Sequence, residues 1–372
     1  MRIVFICACV EPGRDGVGDY TIKLALQLIK SGHDACVIAI KDKYAKEYME
    51  HTHRIEGVDL QIVRLQNLLS ASERLREIKK IVNVFLPGWI SLQYVPYAYH
   101  EKGMPVFLSG FLKKITNKSN WHIMIHEPYL SEQASFKNKT VRFFQILSLK
   151  LLKKNLQPHV FHTSISQYQK LLAEIRIESQ LLGLFGNIPV PLNSKSGERL
   201  LHKGKRFTGV YFGAAPALLY HSVFSEKLSA FCDSCEEKVQ IIICGRSGKN
   251  GKEFGEEISK ALAPYGGTVD VRGEVEAASL SNLFSEADFG ISRVPPIFIG
   301  KSGSAISMLE HGLPLWIPLQ NQPDLNQYID YRPGLCHYEL SEIFDLKEKE
   351  KFDNRLPFIA NTLIKDLIES DV

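Results

Sequence analysis

The sequence predicts an α/β protein made of two doubly wound parallel sheets, and three features lead to that reading. Apolar, strand-like runs alternate with amphipathic helical stretches along most of the 372 residues. The alternation breaks once, over 186–206, where Asn187-Ile188-Pro189-Val190-Pro191 and the polar Asn193-Ser194-Lys195-Ser196-Gly197 read as an interdomain linker. Each half also carries a small-residue loop between a strand and a helix, Gly16-Val17-Gly18-Asp19-Tyr20 and Gly300-Lys301-Ser302-Gly303-Ser304. Such a loop presents backbone N–H groups and a positive helix end to an anion.

In the first half, Ile3–Cys9 is a continuous apolar run, as expected of a parallel strand covered on both faces. Asp19 can cap the helix that follows, whose apolar positions Ile22, Ala25, Leu28 and Ile29 recur at helical spacing up to Gly32. Ala35–Ile40, Leu60–Val63, Trp89–Tyr94, His122–Ile125 and Val160–Thr163 read as further strands. The second series runs through Gly209–Gly213, Val239–Cys244, Thr268–Val271, Phe289–Ser292 and Leu315–Pro318, and Leu356–Ile368 reads as a last amphipathic helix. The expected layout is two Rossmann-like domains facing a cleft, residues 1–190 and 191–355, with 356–372 packing back on the first.

Composition narrows the function classes. With 45% hydrophobic and 23% charged residues the chain is an ordinary globular protein, long enough for two cores. A net charge of +4 excludes nothing but does not suggest a dedicated nucleic-acid binder, which usually concentrates far more charge, and no nucleic-acid partner is expected. Seven cysteines, an odd number, supply no disulfide framework, and Cys232-Asp233-Ser234-Cys235 lies in a helical stretch without a second Cys/His pair. Both points favour a reducing, cytoplasmic setting. The apolar Ile3–Val10 is short and leads into Glu11-Pro12-Gly13-Arg14-Asp15 rather than a cleavage site. The longest apolar-leaning region, Ile81–Tyr99, is broken by Asn83, Pro87, Gly88, Ser91 and Gln93, so no membrane-spanning helix is expected.

Several segments together resemble the GT-B glycosyltransferases, specifically the large family-4 group. They are Glu11–Tyr20 with its helix and Gly32-His33-Asp34, then Leu92-Gln93-Tyr94-Val95-Pro96-Tyr97 with Gly103-Met104-Pro105, and His126-Glu127-Pro128-Tyr129 at a strand end. In the second half, Val271-Arg272-Gly273-Glu274 and Ala287-Asp288-Phe289-Gly290-Ile291-Ser292 look like the family's run into the donor site. The resemblance implies a GT-B fold and transfer of a sugar from a nucleotide-sugar, held mainly by the C-terminal domain, to a glycan or lipid-linked acceptor. It also implies retention of configuration. No Asp-x-Asp motif stands at a suitable strand end, so no metal is expected; no cofactor is expected either, the nucleotide-sugar being a substrate.

The chain departs from the family pattern at two places. The paired glutamates of the common E-x7-E motif would fall at Ile299 and Ser307, and both are absent. By resemblance to a subgroup with a Gly-Lys-Ser-Gly-Ser loop, the backbone and hydroxyls of Ser302, Gly303 and Ser304 take the donor diphosphate. Lys301 adds a point charge, and Glu310, Gly273 and Glu274 serve the ribose or base. The loop after Phe212, Ala214-Ala215-Pro216-Ala217, lacks the family's basic pair, and Arg246 and Lys249 are the nearest substitutes. Gly16 and Gly18 join the phosphate candidates, and His126 and Asp19 are the catalytic candidates. Each has a plainer reading: turn glycines, a structural histidine, a helix cap, a solvated arginine. A non-catalytic scaffold and a sugar-nucleotide epimerase of the same architecture remain as alternatives. A nicotinamide or flavin oxidoreductase is disfavoured, since Gly16-Val17-Gly18 lacks the third glycine.

One stretch suits an anionic membrane surface. Drawn as a helix, Lys139, Arg142, Lys150, Lys153 and Lys154 fall in an arc of roughly 120° shared by Phe143 and Ile146, with Val141, Phe144, Leu147 and Leu151 opposite. A peripheral position at the inner face of a membrane follows from that reading; a solvated helix with snorkelling lysines is the plainer one.

Overall fold

The computed structural model describes residues 1–55, 57–116, 118–130, 136–191, 206–214, 219–235, 238–246, 248–319, 324–346 and 348–371. The chain divides into two compact units, Met1–Gly183 joined by Leu356–Val372, and Leu184–Arg355.

The first unit is built on an eight-stranded sheet of β1 (Arg2–Cys7), β2 (Asp34–Asp42), β3 (Met49–Ile55), β4 (Val58–Gln66), β5 (Trp89–Tyr94), β6 (Asn120–Ile125), β7 (Val160–Thr163) and β8 (Gln180–Leu181). Its spatial order is β3-β4-β2-β1-β5-β6-β7-β8. Neighbours are parallel except β3 and β4, which are antiparallel. β5 is buried throughout and β1 from Ile3 onward, as their apolar runs require. β3, Met-Glu-His-Thr-His-Arg-Ile, was not read from sequence. It is an exposed polar edge strand with no apolar face to announce it. The order turns between β1 and β5, so the C-terminal ends of those two strands flank the crevice where open α/β sheets bind ligands.

The second unit carries β9 (Phe207–Phe212), β10 (Val239–Cys244), β11 (Thr268–Gly273), β12 (Phe289–Ile291), β13 (Leu315–Trp316) and β14 (Cys336–His337). They form a parallel sheet in the order β11-β10-β9-β12-β13-β14. Alternate residues feed two apolar layers. Val210, Ile242 and Cys244 enter one, and Tyr211, Ile241 and Ile243 enter the other. Here the order turns between β9 and β12.

The stretch expected to be a linker begins as a packed part of the second unit. Gly186 N–H donates to Glu310 Oε2 at 2.9 Å and Ile188 N–H to Ser307 Oγ at 3.3 Å. A Cβ on Gly186 would lie 2.7 Å from Ser307 Cα, so this extended strip runs flush against the Gly303–Glu310 helix. Residues 192–205, the rest of that stretch, lie outside the described residues. The final helix, Arg355–Glu369, buries Ile359, Ala360, Leu363 and Leu367, and nearly all of it groups with the first unit.

Candidate functional site

In the first unit, the chain leaving β1 is pinned by a buried carboxylate. Asp42 Oδ2 receives Arg64 Nε at 2.7 Å, and Asp42 Oδ1 receives Tyr44 N–H at 2.9 Å and Cys9 Sγ at 3.3 Å. Burial alone would raise the Asp42 carboxyl, but these donors and the Arg64 charge hold it below its ordinary value. Arg64 also pairs with Glu11, so the loop is tied at two points before it reaches the Gly16–Lys30 helix.

That helix is capped by Asp15, not Asp19. Asp15 Oδ1 accepts from Val17 N–H at 3.0 Å and Gly18 N–H at 2.8 Å. Asp19 stands inside the first turn, where its two oxygens accept from Gly13 N–H at 3.0 and 3.1 Å. The Val17 and Gly18 N–H groups of this corner are thus answered by the Asp15 carboxylate, which disfavours a phosphate on them. Gly18 has a packing reason to be glycine: a Cβ would sit 2.5 Å from Cys9 O. Around Gly16 there is open space.

His126 follows β6 and is 7% exposed. Its Nε2 bonds Gln93 Oε1 at 2.9 Å, and the Tyr20 ring meets it edge-on with centroids 5.0 Å apart. Burial drives its pKa down to about 3, so the ring is neutral at physiological pH.

In the second unit, three strand ends are turned by glycines with positive φ: Gly213 (+132°), Gly245 (+114°) and Gly273 (+67°). Gly213 N–H donates to Cys244 O at 3.0 Å and Gly245 N–H to Gly273 O at 2.6 Å, so each turn supports the next. A Cβ on Gly245 would lie 2.7 Å from Gly213 O. Bare backbone is therefore obligatory here. Beside it opens a pocket of about 130 Å³ whose lining includes Gly213, Ala214, Ser292, Arg293, Ser302 and Ser304. It lies at the C-terminal ends of β9 and β12, where the strand order turns.

Ser302 is the N-cap of the Gly303–Glu310 helix; its Oγ accepts from Ala305 N–H at 3.3 Å and lies 3.2 Å from Ser304 Oγ. The two hydroxyls and the positive helix end converge on the pocket. Arg293, which the sequence reading overlooked, is exposed at its rim. It hydrogen-bonds to Tyr211, where burial pushes the hydroxyl up to about 12 and Arg293 opposes the rise. The signal for it in the sequence is a basic residue two positions after the strand Phe289–Ile291.

The other predicted residues are placed differently. Lys301 Nζ lies over the Phe298 ring, 5.0 Å from its centroid, and does not line the pocket. Arg246 Nε pairs with Glu274 Oε1 at 2.8 Å, with both side chains largely exposed. Two residues expected to serve phosphate and ribose separately thus meet each other. The Lys249 side chain and residues Ala215–Ala217 lie outside the described residues. Glu310 is 2% exposed. Its oxygens accept from Gly186 N–H at 2.9 Å and Arg355 N–H at 3.3 Å, so a ribose hydroxyl would have to displace these bonds. Burial raises its pKa to about 7 against the pull of those donors and the Arg355 charge. Ser307, at the second missing glutamate, donates to Gly303 O at 2.7 Å and braces Ile188. Among the described residues no cluster of three or more His, Cys, Asp or Glu is arranged to hold a metal.

On the Phe136–Leu156 helix, Lys139, Phe143, Lys150, Lys153 and Lys154 are exposed as expected. Arg142 is half-buried, over the Tyr129 ring at 5.1 Å and 3.9 Å from Glu174. Ile146 is a correction: it packs on the core rather than on the basic face. The buried face carries Gln145 and Ser148 alongside Val141, Leu149 and Leu152, because both polar groups find partners, Leu130 N–H and Phe144 O. Hydropathy alone therefore misplaces its centre. No helix among the described residues is long and apolar enough to cross a membrane.

No family model and no curated protein matches the chain. Solved structures do. A UDP-N-acetylglucosamine 2-epimerase homologue from Listeria monocytogenes superposes with TM-score 0.56 at 11% identity, covering 99% of this chain and 97% of its own. The catalytic domain of starch synthase IV from Arabidopsis thaliana, bound to ADP and acarbose, gives 0.54 at 12% identity, with 100% and 99% covered. A glycosyltransferase from Rickettsia africae gives 0.54 at 11% identity, with 99% and 98% covered. The architecture of the chain is thus the GT-B fold that glycosyltransferases and UDP-N-acetylglucosamine 2-epimerases share.

Proposed function

We propose that the chain is a glycosyltransferase of the family-4 type that moves a sugar from a nucleotide-sugar to a glycan or lipid-linked acceptor. The observation that carries this reading is the pocket at the turn of the second sheet, where Gly213, Arg293, Ser302 and Ser304 surround a space of about 130 Å³. Glycine backbone admits a diphosphate closely, the serine hydroxyls and helix end receive its oxygens, and Arg293 neutralises the charge that grows as the sugar leaves. Leaving-group stabilisation of this kind requires no metal and suits retention of configuration. His126, a neutral ring at a strand end of the first unit, is assigned to a hydroxyl of the sugar or acceptor.

A nucleoside diphosphate should raise the melting temperature of the full chain. Ser304→Phe, which fills the pocket, should abolish that rise. Unchanged stabilisation in a folded Ser304→Phe protein would sink the pocket assignment. A second reading, epimerisation of a sugar nucleotide, draws support from the Listeria structure and from Ile299 and Ser307 standing where the family's glutamates are expected. Incubating UDP-N-acetylglucosamine with the chain alone separates the two: a C2 epimer in the NMR spectrum means epimerase, and slow release of free sugar means transferase. A non-catalytic scaffold would give neither. The exposed Lys139, Phe143, Lys150, Lys153 and Lys154 support peripheral binding to an anionic, cytoplasmic membrane face, which co-sedimentation with phosphatidylglycerol vesicles tests.

A further inference from the structure

A single line of hydrogen bonds crosses the first unit from His126 to the last helix. His126 Nε2 meets Gln93 Oε1 at 2.9 Å, and Gln93 Nε2 meets Ser91 Oγ at 2.8 Å. Ser91 Oγ meets His122 Nδ1 at 2.8 Å, and His122 Nε2 meets His162 Nδ1 at 2.9 Å. His162 Nε2 then meets Asp366 Oδ2 at 3.0 Å. The first five side chains are at most 7% exposed, and that of Asp366 is 15% exposed. Ser91 pairs with His122 and Met124 with His162, so the line follows one face of β5, β6 and β7.

Its polarity is fixed from one end. An ionised carboxylate only accepts, so a His162 ring carrying a single N–H donates through Nε2 and accepts through Nδ1. His122 then donates through Nε2 and accepts at Nδ1 from the Ser91 hydroxyl. Ser91 accepts from the Gln93 amide N–H, which turns the Gln93 carbonyl to His126. We infer that Asp366 is a positioning residue that sets, through this line, the Nε2–H tautomer of His126 and leaves its Nδ1 as a hydrogen-bond acceptor for a ligand hydroxyl. The identity of that hydroxyl as a sugar's rests on the proposed function; the tautomer does not.

The test is long-range proton–nitrogen NMR of the full chain labelled at histidine, with His126 assigned by the loss of its signals in His126→Gln. Wild type should show His126 neutral and protonated at Nε2 alone. Asp366→Leu removes the terminal acceptor and should give a mixture of both tautomers. Ser91→Ala cuts the line midway and should do the same, which keeps the inference testable if the first variant fails to fold. A His126 that stays wholly Nε2-protonated in both folded variants, or is Nδ1-protonated in wild type, overturns it. If nucleotide-sugar turnover is present, Asp366→Leu should lower kcat about tenfold or more with donor KM little changed. A tautomer shift without any wild-type turnover overturns the transferase reading and upholds the line. Turnover with an unmoved tautomer does the reverse.

Discussion

The two units place candidate groups at the C-terminal ends of strands at or next to the turn in sheet order, but they hold them by different means. In the first unit the work falls to side chains: Asp42 and Arg64 anchor the β1 loop, and a buried file of imidazoles, amide and hydroxyl stands behind His126. In the second unit it falls to backbone: the left-handed Gly213 lines the pocket, Gly245 and Gly273 turn the neighbouring strand ends, and serines at a helix start shape its wall. Side-chain networks tie a site to protonation, whereas glycine corners tie it to sterics. The two units should therefore respond oppositely to acid and to substitution.

The largest expected effect is acid lability of the first unit. In the unfolded chain His122 and His126 take up protons near pH 6.5, whereas burial holds folded His126 near 3 and folded His122 well below its ordinary value. Their contribution to stability is complete above pH 6.5 and is lost as pH falls, at up to about 1.4 kcal/mol per pH unit for each histidine. Urea unfolding followed by hydrogen exchange of β5–β7 peptides between pH 7 and pH 4.5 measures it; a flat profile would break the comparison.

Next in size, and of opposite sign, is Glu310 in the second unit. Its pKa rises from 4.5 unfolded to about 7 folded, so its contribution is complete below 4.5 and disappears as pH climbs through 7. The span is about 3 kcal/mol. Exchange of peptides from the Gly303–Glu310 helix should become less protected over that range, and Glu310→Gln should lose the dependence.

Smaller still is Gly245→Ala, which adds a Cβ at φ +114° against Gly213 O. It should cost about 2 kcal/mol in thermal unfolding and weaken nucleotide binding. Gly16→Ala in the first unit, facing open space, should leave stability within about 0.5 kcal/mol of wild type and so sharpens the contrast. Last, Arg246→Ala breaks the solvent-exposed pair with Glu274 and should change stability by less than about 1 kcal/mol.

How much of this was legible in the sequence follows from the range of the forces involved. Trp89–Tyr94, Val160–Thr163 and Val239–Cys244 were read to the residue, because an apolar run bounded by turn residues is a local signal. β3, β8 and β14 escaped: the first is polar on both faces, and the others are two residues each. The Ser302–Ser304 loop was legible as strand, small residues, helix. Asp15 and Asp19 lie four residues apart, and only the observed start at Gly16 decides which one caps. Glu310 was expected to face a ribose; that it turns to Gly186, 124 residues away, is a fact of packing. The file behind His126 was beyond reach for the same reason, since 204 residues separate His162 from Asp366. In the run His122-Ile123-Met124-Ile125-His126 the period of two places both histidines on one face.

The return of Leu356–Val372 to the first unit has a consequence for the order of events during synthesis. A ribosome makes all eight strands of that unit's sheet, then the whole second unit, before it makes Asp366. Until then His162 lacks its carboxylate, and the apolar row Ile359, Ala360, Leu363 and Leu367 has not yet covered its place. The second unit, contiguous over Leu184–Arg355, can fold while the first still waits. Of the two units, the one begun first is therefore the one completed last.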